Sequence, residues 1–306
     1  MNQTFDPSAL ASFLRSALDR AVQCRADSEI HPVIVINALK NILGDDRENV
    51  PKDLKSWVES YLSGFFKYRD WKTNPDPSEQ FARGAVFTMD LEDAILKGQR
   101  EEAERCAGDL YWAAEHKGSV LEIMTETGLH EPATHALFFY HLLRASVFYQ
   151  PPESLWQFIL AGLDRLSHKQ LPPTTSGAEV TPDDLLPGAF HAMSLEDLIA
   201  FAAVYRLWQF ESVRQANIRR KLSVWLQEHR SDIYSGTTIP TAKFYTDLHR
   251  YKRQGGHFFI HLISAGEDHL FPQRIVLLDA IRFLVRVTPE DYINVLAHRL
   301  EEGIET

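Results

Sequence analysis

Glu131-Pro132-Ala133-Thr134-His135-Ala136-Leu137-Phe138-Phe139-Tyr140-His141-Leu142-Leu143-Arg144-Ala145-Ser146-Val147 is the stretch on which the reading of the fold turns. Proline after Glu131 suits the first turn of a helix, where its missing N–H leaves no hydrogen bond unmade. Beyond it almost nothing favours water on any side of the helical wheel. A helix that is apolar all round belongs in an interior. Its polar side chains, His135, His141 and Arg144, are then buried groups that need partners, because each unpaired one costs about 1–3 kcal/mol.

Outward from this stretch the start signals are those of helices. Asp6-Pro7-Ser8 caps a segment with Leu10, Phe13, Leu14, Ala17, Leu18 and Ala21 at helical spacing. His31-Pro32 opens a short apolar segment that ends at Gly44, with His31 at a capping or surface position. Pro51 opens another. One helix is expected from about Arg100 to Thr127, with Glu115, Glu122 and Glu126 along a solvated stripe. Ser194-Leu195-Glu196-Asp197 resembles a capping box, and no Gly or Pro follows until about Tyr234, which gives one very long helix or two. Its cluster Arg214, Arg219, Arg220 and Lys221 reads as solvated. Pro240, Pro272 and Thr288-Pro289 open the last helices. Alternating strand patterns are absent and no fixed repeat period emerges. The expected fold is all-α, a compact assembly of about a dozen helices.

The segment from His168 to Met193 holds Pro172, Pro173, Pro182 and Pro187 around Thr174-Thr175-Ser176-Gly177 and is expected to be irregular. A segment of this length is a linker or a lid. As a linker it divides the chain into an N-terminal helical lobe, 1–167, and a C-terminal one, 194–306.

Composition bounds the function. The 306 residues carry a formal charge of −10, which disfavours nucleic acid and anionic membrane surfaces as partners. No apolar run reaches the length of a membrane span and no signal peptide is evident, so a cytoplasmic protein is expected. The two cysteines, Cys24 and Cys106, are expected to be free thiols. No phosphate loop, hydrolase elbow or zinc signature occurs.

The densest mixture of apolar and titratable residues is Gly255-Gly256-His257-Phe258-Phe259-Ile260-His261-Leu262-Ile263-Ser264-Ala265-Gly266-Glu267-Asp268-His269. As a helix it sets His257 and His261 one turn apart. If they face the interior together, they suit acid–base catalysis or metal ligation. If they do not act, they are core histidines bonded to their surroundings. A divalent metal would draw further ligands from His135, His141 and Asp268, and Phe258, Tyr140 and Arg144 are the expected substrate contacts. The functional expectation is an enzyme, an oxidoreductase or metal-dependent, with a His-containing pocket for a small apolar molecule. The alternative is a non-catalytic helical scaffold that binds another protein. Oligomeric state is not legible.

Three of these segments, His257 to Ser264 with Phe271-Pro272 beyond, His31-Pro32 with Ala38-Leu39 and Leu43-Gly44, and Phe139 to Ala145, resemble the questin-oxidase-like family. Together they cover under a fifth of the chain. The resemblance implies an oxygenase acting on polyketide-derived aromatic rings; the family's catalytic residues do not map onto particular positions.

Overall fold

The computed structural model describes residues 6–25, 30–66, 74–75, 86–149, 155–166, 170–173, 179–230, 240–264 and 272–305. Among them every regular element is a helix and there is no strand. In order they are α1 (Pro7–Val22), α2 (Pro32–Leu43), α3 (Leu54–Ser63), α4 (Thr88–Leu96), α5 (Arg100–Ala113), α6 (Ser119–Gly128), α7 (Pro132–Tyr149) and α8 (Leu155–Leu166). Then come α9 (Pro182–Ala192), α10 (Leu195–Trp208), α11 (Gln215–Glu228), α12 (Tyr245–Gln254), α13 (Phe258–Ser264), α14 (Pro272–Val287) and α15 (Ile293–Glu305), with a 3₁₀ turn at Glu290–Tyr292.

Local chemistry sets the ends. Asp6 accepts from the Ser8 amide at the start of α1, and His31 accepts from the Val33 amide through Nδ1 at the start of α2. Ser194 caps α10 by accepting from Asp197. Lys252 lays its ammonium on the carbonyls of Val285, Arg286 and Thr288, where the C-terminal end of α14 favours a cation. Gly255 and Gly256 hold φ at +68° and +104°, a conformation that favours glycine, and turn the chain from α12 into α13.

Four helices form the centre. α2 packs on α7, α7 on α10, α10 on α14, and α14 back on α2, which closes a ring. Each is apolar over most of its surface: all but Lys40 and Asn41 of α2 are buried, and α14 is buried from Ile275 to Arg282. α7, the helix apolar on all sides, also meets α1, α6 and α8. Two members of the ring come from each side of residues 168–193, and their side chains belong to one hydrophobic core. That intervening segment therefore joins parts of a shared core. Its described part is more regular than expected, since Pro182 opens α9, with Asp183 and Asp184 in its first turn, while Thr174-Thr175-Ser176-Gly177 lie outside the described residues.

Other expectations need correction. The helix expected from Arg100 to Thr127 is two helices: Ala114 takes an extended conformation, and Lys117 turns back to the Tyr111 carbonyl at the end of α5. The long segment after Ser194 is the expected two helices, α10 and α11, separated by a break between Trp208 and Gln215 rather than a subtle bend. The Glu115–Glu126 stripe is not uniformly solvated. Glu126 is buried, 2.6 Å from Arg214, which also holds Glu92 at 2.6 Å. Lys221, expected on a solvated face, is buried with its ammonium 2.7 Å from the Glu126 carbonyl. Cys24 and Cys106 are buried thiols outside any disulfide, as expected. Among the described residues no helix is long and apolar enough to cross a membrane.

Candidate functional site

The closed ring of helices encloses charge. On α14, Asp279, Arg282, Phe283 and Arg286 follow at three- and four-residue spacing and so share one side. Asp279 is fully buried and accepts from three elements. Arg206 of α10 reaches it with Nη1 at 2.8 Å from Oδ2 and Nη2 at 3.1 Å from Oδ1, and the same Nη2 donates to the Asp279 carbonyl at 2.8 Å. Asn41 of α2 donates to Oδ2 at 3.1 Å, and Arg282 donates to Oδ1 at 3.2 Å. The Arg206 guanidinium lies over both the Tyr140 and the Phe283 rings, 4.8 and 4.6 Å from their centroids.

The network continues to Asp45, just past α2. Arg282 donates to its Oδ1 at 2.8 Å, Arg286 to the same oxygen at 2.7 Å, and the Tyr251 hydroxyl to Oδ2 at 2.5 Å. On the inner side, Nδ2 of the fully buried Asn37 stands 2.8 Å from His141 Nδ1.

Electrostatics follow from burial and the arginines. Burial alone would raise the Asp279 carboxyl, but Arg206 and Arg282 overcome it and hold the group below the usual carboxylate range. Burial pushes His141 down to about 3, so the ring is neutral. Lys40, on α2 beside Asn41, is pushed down to about 8 by burial and by the charges of Arg144, Arg282 and Arg206, against the pull of Asp279. Its ammonium has no hydrogen bond or ion pair among the described residues and sits 5.0 Å above the Phe148 ring. Arg144 is exposed, and it too has no carboxylate partner among them. Among the described residues, five cationic side chains, Lys40, Arg144, Arg206, Arg282 and Arg286, thus stand around two inner carboxylates, Asp45 and Asp279.

Two clefts open onto this network, and both are lined by Asn41 and Arg282. One, of about 530 Å³, is walled by Tyr140, Arg144, Arg206, Phe210 and Phe283, with Val147 and Glu211 also on its lining. The other, of about 470 Å³, lies toward α1 and is walled by Arg15, Lys40, Asp45, Phe148 and Arg286. Volumes of this size suit small organic molecules.

The structure distributes the residues singled out in the sequence over three places. Tyr140 and Arg144 come together in the larger cleft, although Arg144 is exposed rather than buried. His257 and His261 do not face the interior. Phe259, Ile260, Leu262 and Ile263 take the inner side of α13, because they gain more from leaving water than an imidazole does, and both histidines are exposed. His257 precedes the helix, 3.8 Å from Asp46. With Phe258 the two histidines border a separate surface depression of about 530 Å³. His135 and His141 lie in the interior on different sides of α7, His135 near Glu131 and Phe139. The expected metal set therefore does not assemble: two of its members are exposed, two are buried elsewhere, and Asp268 lies outside the described residues. No group of three or more His, Cys, Asp or Glu side chains among the described residues is placed to hold a metal ion.

Sequence reasoning missed Asp279, Arg282, Arg206, Asn41, Asp45 and Lys40. The signal was present. Asp279 and Arg282 interrupt the run Ile275-Val276-Leu277-Leu278 to Leu284-Val285, and Arg206 ends the apolar run from Leu198 to Tyr205. Charges inside helices that must be buried are expected to find one another. Compared with protein-family models, with curated proteins and with solved structures, the chain finds no match.

Proposed function

We propose that this protein binds a small organic anion with an apolar or aromatic body in the cleft over α2, α7, α10 and α14. The observation that carries the reading is the surplus of positive charge there: Arg144 and Lys40 face the clefts without a carboxylate partner among the described residues, in a chain whose net charge is −10. A negative ligand group would complete the network, and a charge-assisted hydrogen bond is worth about 1.5–3 kcal/mol. Tyr140, Phe210 and Phe283 give the body of the ligand something to stack on. The segment 139–145, which resembles the questin-oxidase-like family, supplies Tyr140 and Arg144, and this favours an aromatic body. An enzyme of a cytoplasmic, reducing compartment fits the buried thiols, and the substrate expected as simply apolar gains an anionic group.

Isothermal titration with benzoate, and with benzyl alcohol as its neutral counterpart, tests the reading. Benzoate should bind at least about tenfold more tightly, the equivalent of one such hydrogen bond. Arg144→Ala should abolish that preference while leaving the melting temperature nearly unchanged, because the side chain is exposed. Equal affinity for both compounds, or no binding of either, overturns it.

A further inference from the structure

The smaller cleft presents an amine in an unusual setting. Lys40 stands on its wall with one aromatic face below it and, among the described residues, no carboxylate in ion-pair contact with its ammonium. The charged groups around it come from every neighbouring element: Arg15 from α1, Asp45 and Arg47 from the turn after α2, Arg144 from α7, Arg206 from α10, and Asp279, Arg282 and Arg286 from α14. Both aspartates are already committed to arginines. Desolvation and neighbouring cations are the two means by which a lysine becomes a nucleophile near neutral pH.

Resting on the anion reading above, we propose that Lys40 is the nucleophile of this site and forms an imine with a small carboxylate-bearing aldehyde or ketone. The Nζ lone pair attacks the carbonyl carbon, a C–N bond forms and the C=O π pair moves to oxygen. The carbinolamine then loses that oxygen together with both amine hydrogens as water, leaving C=N. No oxidant or reductant is needed. Arg282, common to both clefts, and Arg144, whose charge acts on Lys40 from the larger cleft, are the groups that would hold the carboxylate. The arginines that, with burial, loosen the hold of the amine on its proton are thus the ones that draw in the anion. Once bound, the carboxylate favours the protonated imine, the form that withdraws electrons from the adjacent carbon.

Reductive trapping on the full chain tests this. The protein is treated with glyoxylate and cyanoborohydride across pH 6–10, with formaldehyde as the neutral parallel, and labelled lysines are located by peptide mass spectrometry. At pH 8 an amine with its midpoint near 8 has about a hundredfold more neutral form than an ordinary lysine, less the nucleophilicity lost with basicity, so Lys40 should label about tenfold faster than exposed Lys97. Glyoxylate should widen that margin over formaldehyde, Arg144→Ala should remove the widening, and Lys40→Arg should leave residue 40 unlabelled. Faster labelling of Lys40 by formaldehyde with no further gain from glyoxylate overturns the anionic substrate and the anion reading with it. Labelling of Lys40 no faster than Lys97 by either aldehyde overturns the nucleophile, even where benzoate still binds.

Discussion

Arg206 and Asp279 meet as a two-pronged ion pair, 2.8 and 3.1 Å across its two contacts, inside a ring of four mainly apolar helices. The pair joins α10 to α14, and Asn41 brings α2 to the same carboxylate. Such a pair is not by itself evidence of net stability, since removing two charges from water is expensive. Breaking one side is a different matter, because the partner charge stays buried without compensation.

Asp279→Asn is therefore expected to lower unfolding stability by about 3–5 kcal/mol, measured by urea denaturation. Arg206 and Arg282 lose the carboxylate they share, while the shape of the side chain is kept. A loss below about 1 kcal/mol would mean that the network is more hydrated than its burial implies.

Stability should fall on mild acidification, through two histidines. Burial holds His31 at about 4 and His141 at about 3, against 6.5 for an exposed imidazole. Both rings are neutral in the fold and take up protons on unfolding, so below 6.5 the unfolded chain binds more protons and gains. Their contribution is complete above about pH 6.5 and is lost progressively as pH falls toward 3. Between pH 7.5 and 5 each should forfeit about 2 kcal/mol. Denaturation curves at the two values check the sum, and His141→Gln should flatten the slope by about half.

Gly128→Ala probes how closely α6 and α8 meet α7. A Cβ at this position would stand 2.7 Å from Phe139 Cε2 and 3.1 Å from Leu166 Cδ2, and the Phe139 ring is fully buried and has nowhere to turn. The substitution should raise helix propensity yet destabilise the fold by about 1–3 kcal/mol, seen as a lower melting temperature. A neutral or stabilising result would mean that the interface can widen.

The sequence by itself determined the fold class. Capping residues, helix-opening prolines and 3.6-residue periodicity are local signals, and α1, α2, α7 and α10 begin where Asp6-Pro7, His31-Pro32, Glu131-Pro132 and Ser194 indicate. It also identified α7 as an interior helix and singled out Tyr140 and Arg144. It did not place His257 and His261, because periodicity says which residues share a side and not which side turns inward. That choice fell to Phe259, Ile260 and Ile263, whose transfer from water outweighs that of an imidazole. Nor could it bring together Asp45, Arg206, Asp279 and Arg282. Arg282 lies 237 residues from Asp45, and Arg206 lies 73 from Asp279. Pairs so distant along the chain are made only by the packing of α2, α7, α10 and α14, since a buried charge takes as partner whatever opposite charge that packing brings within reach.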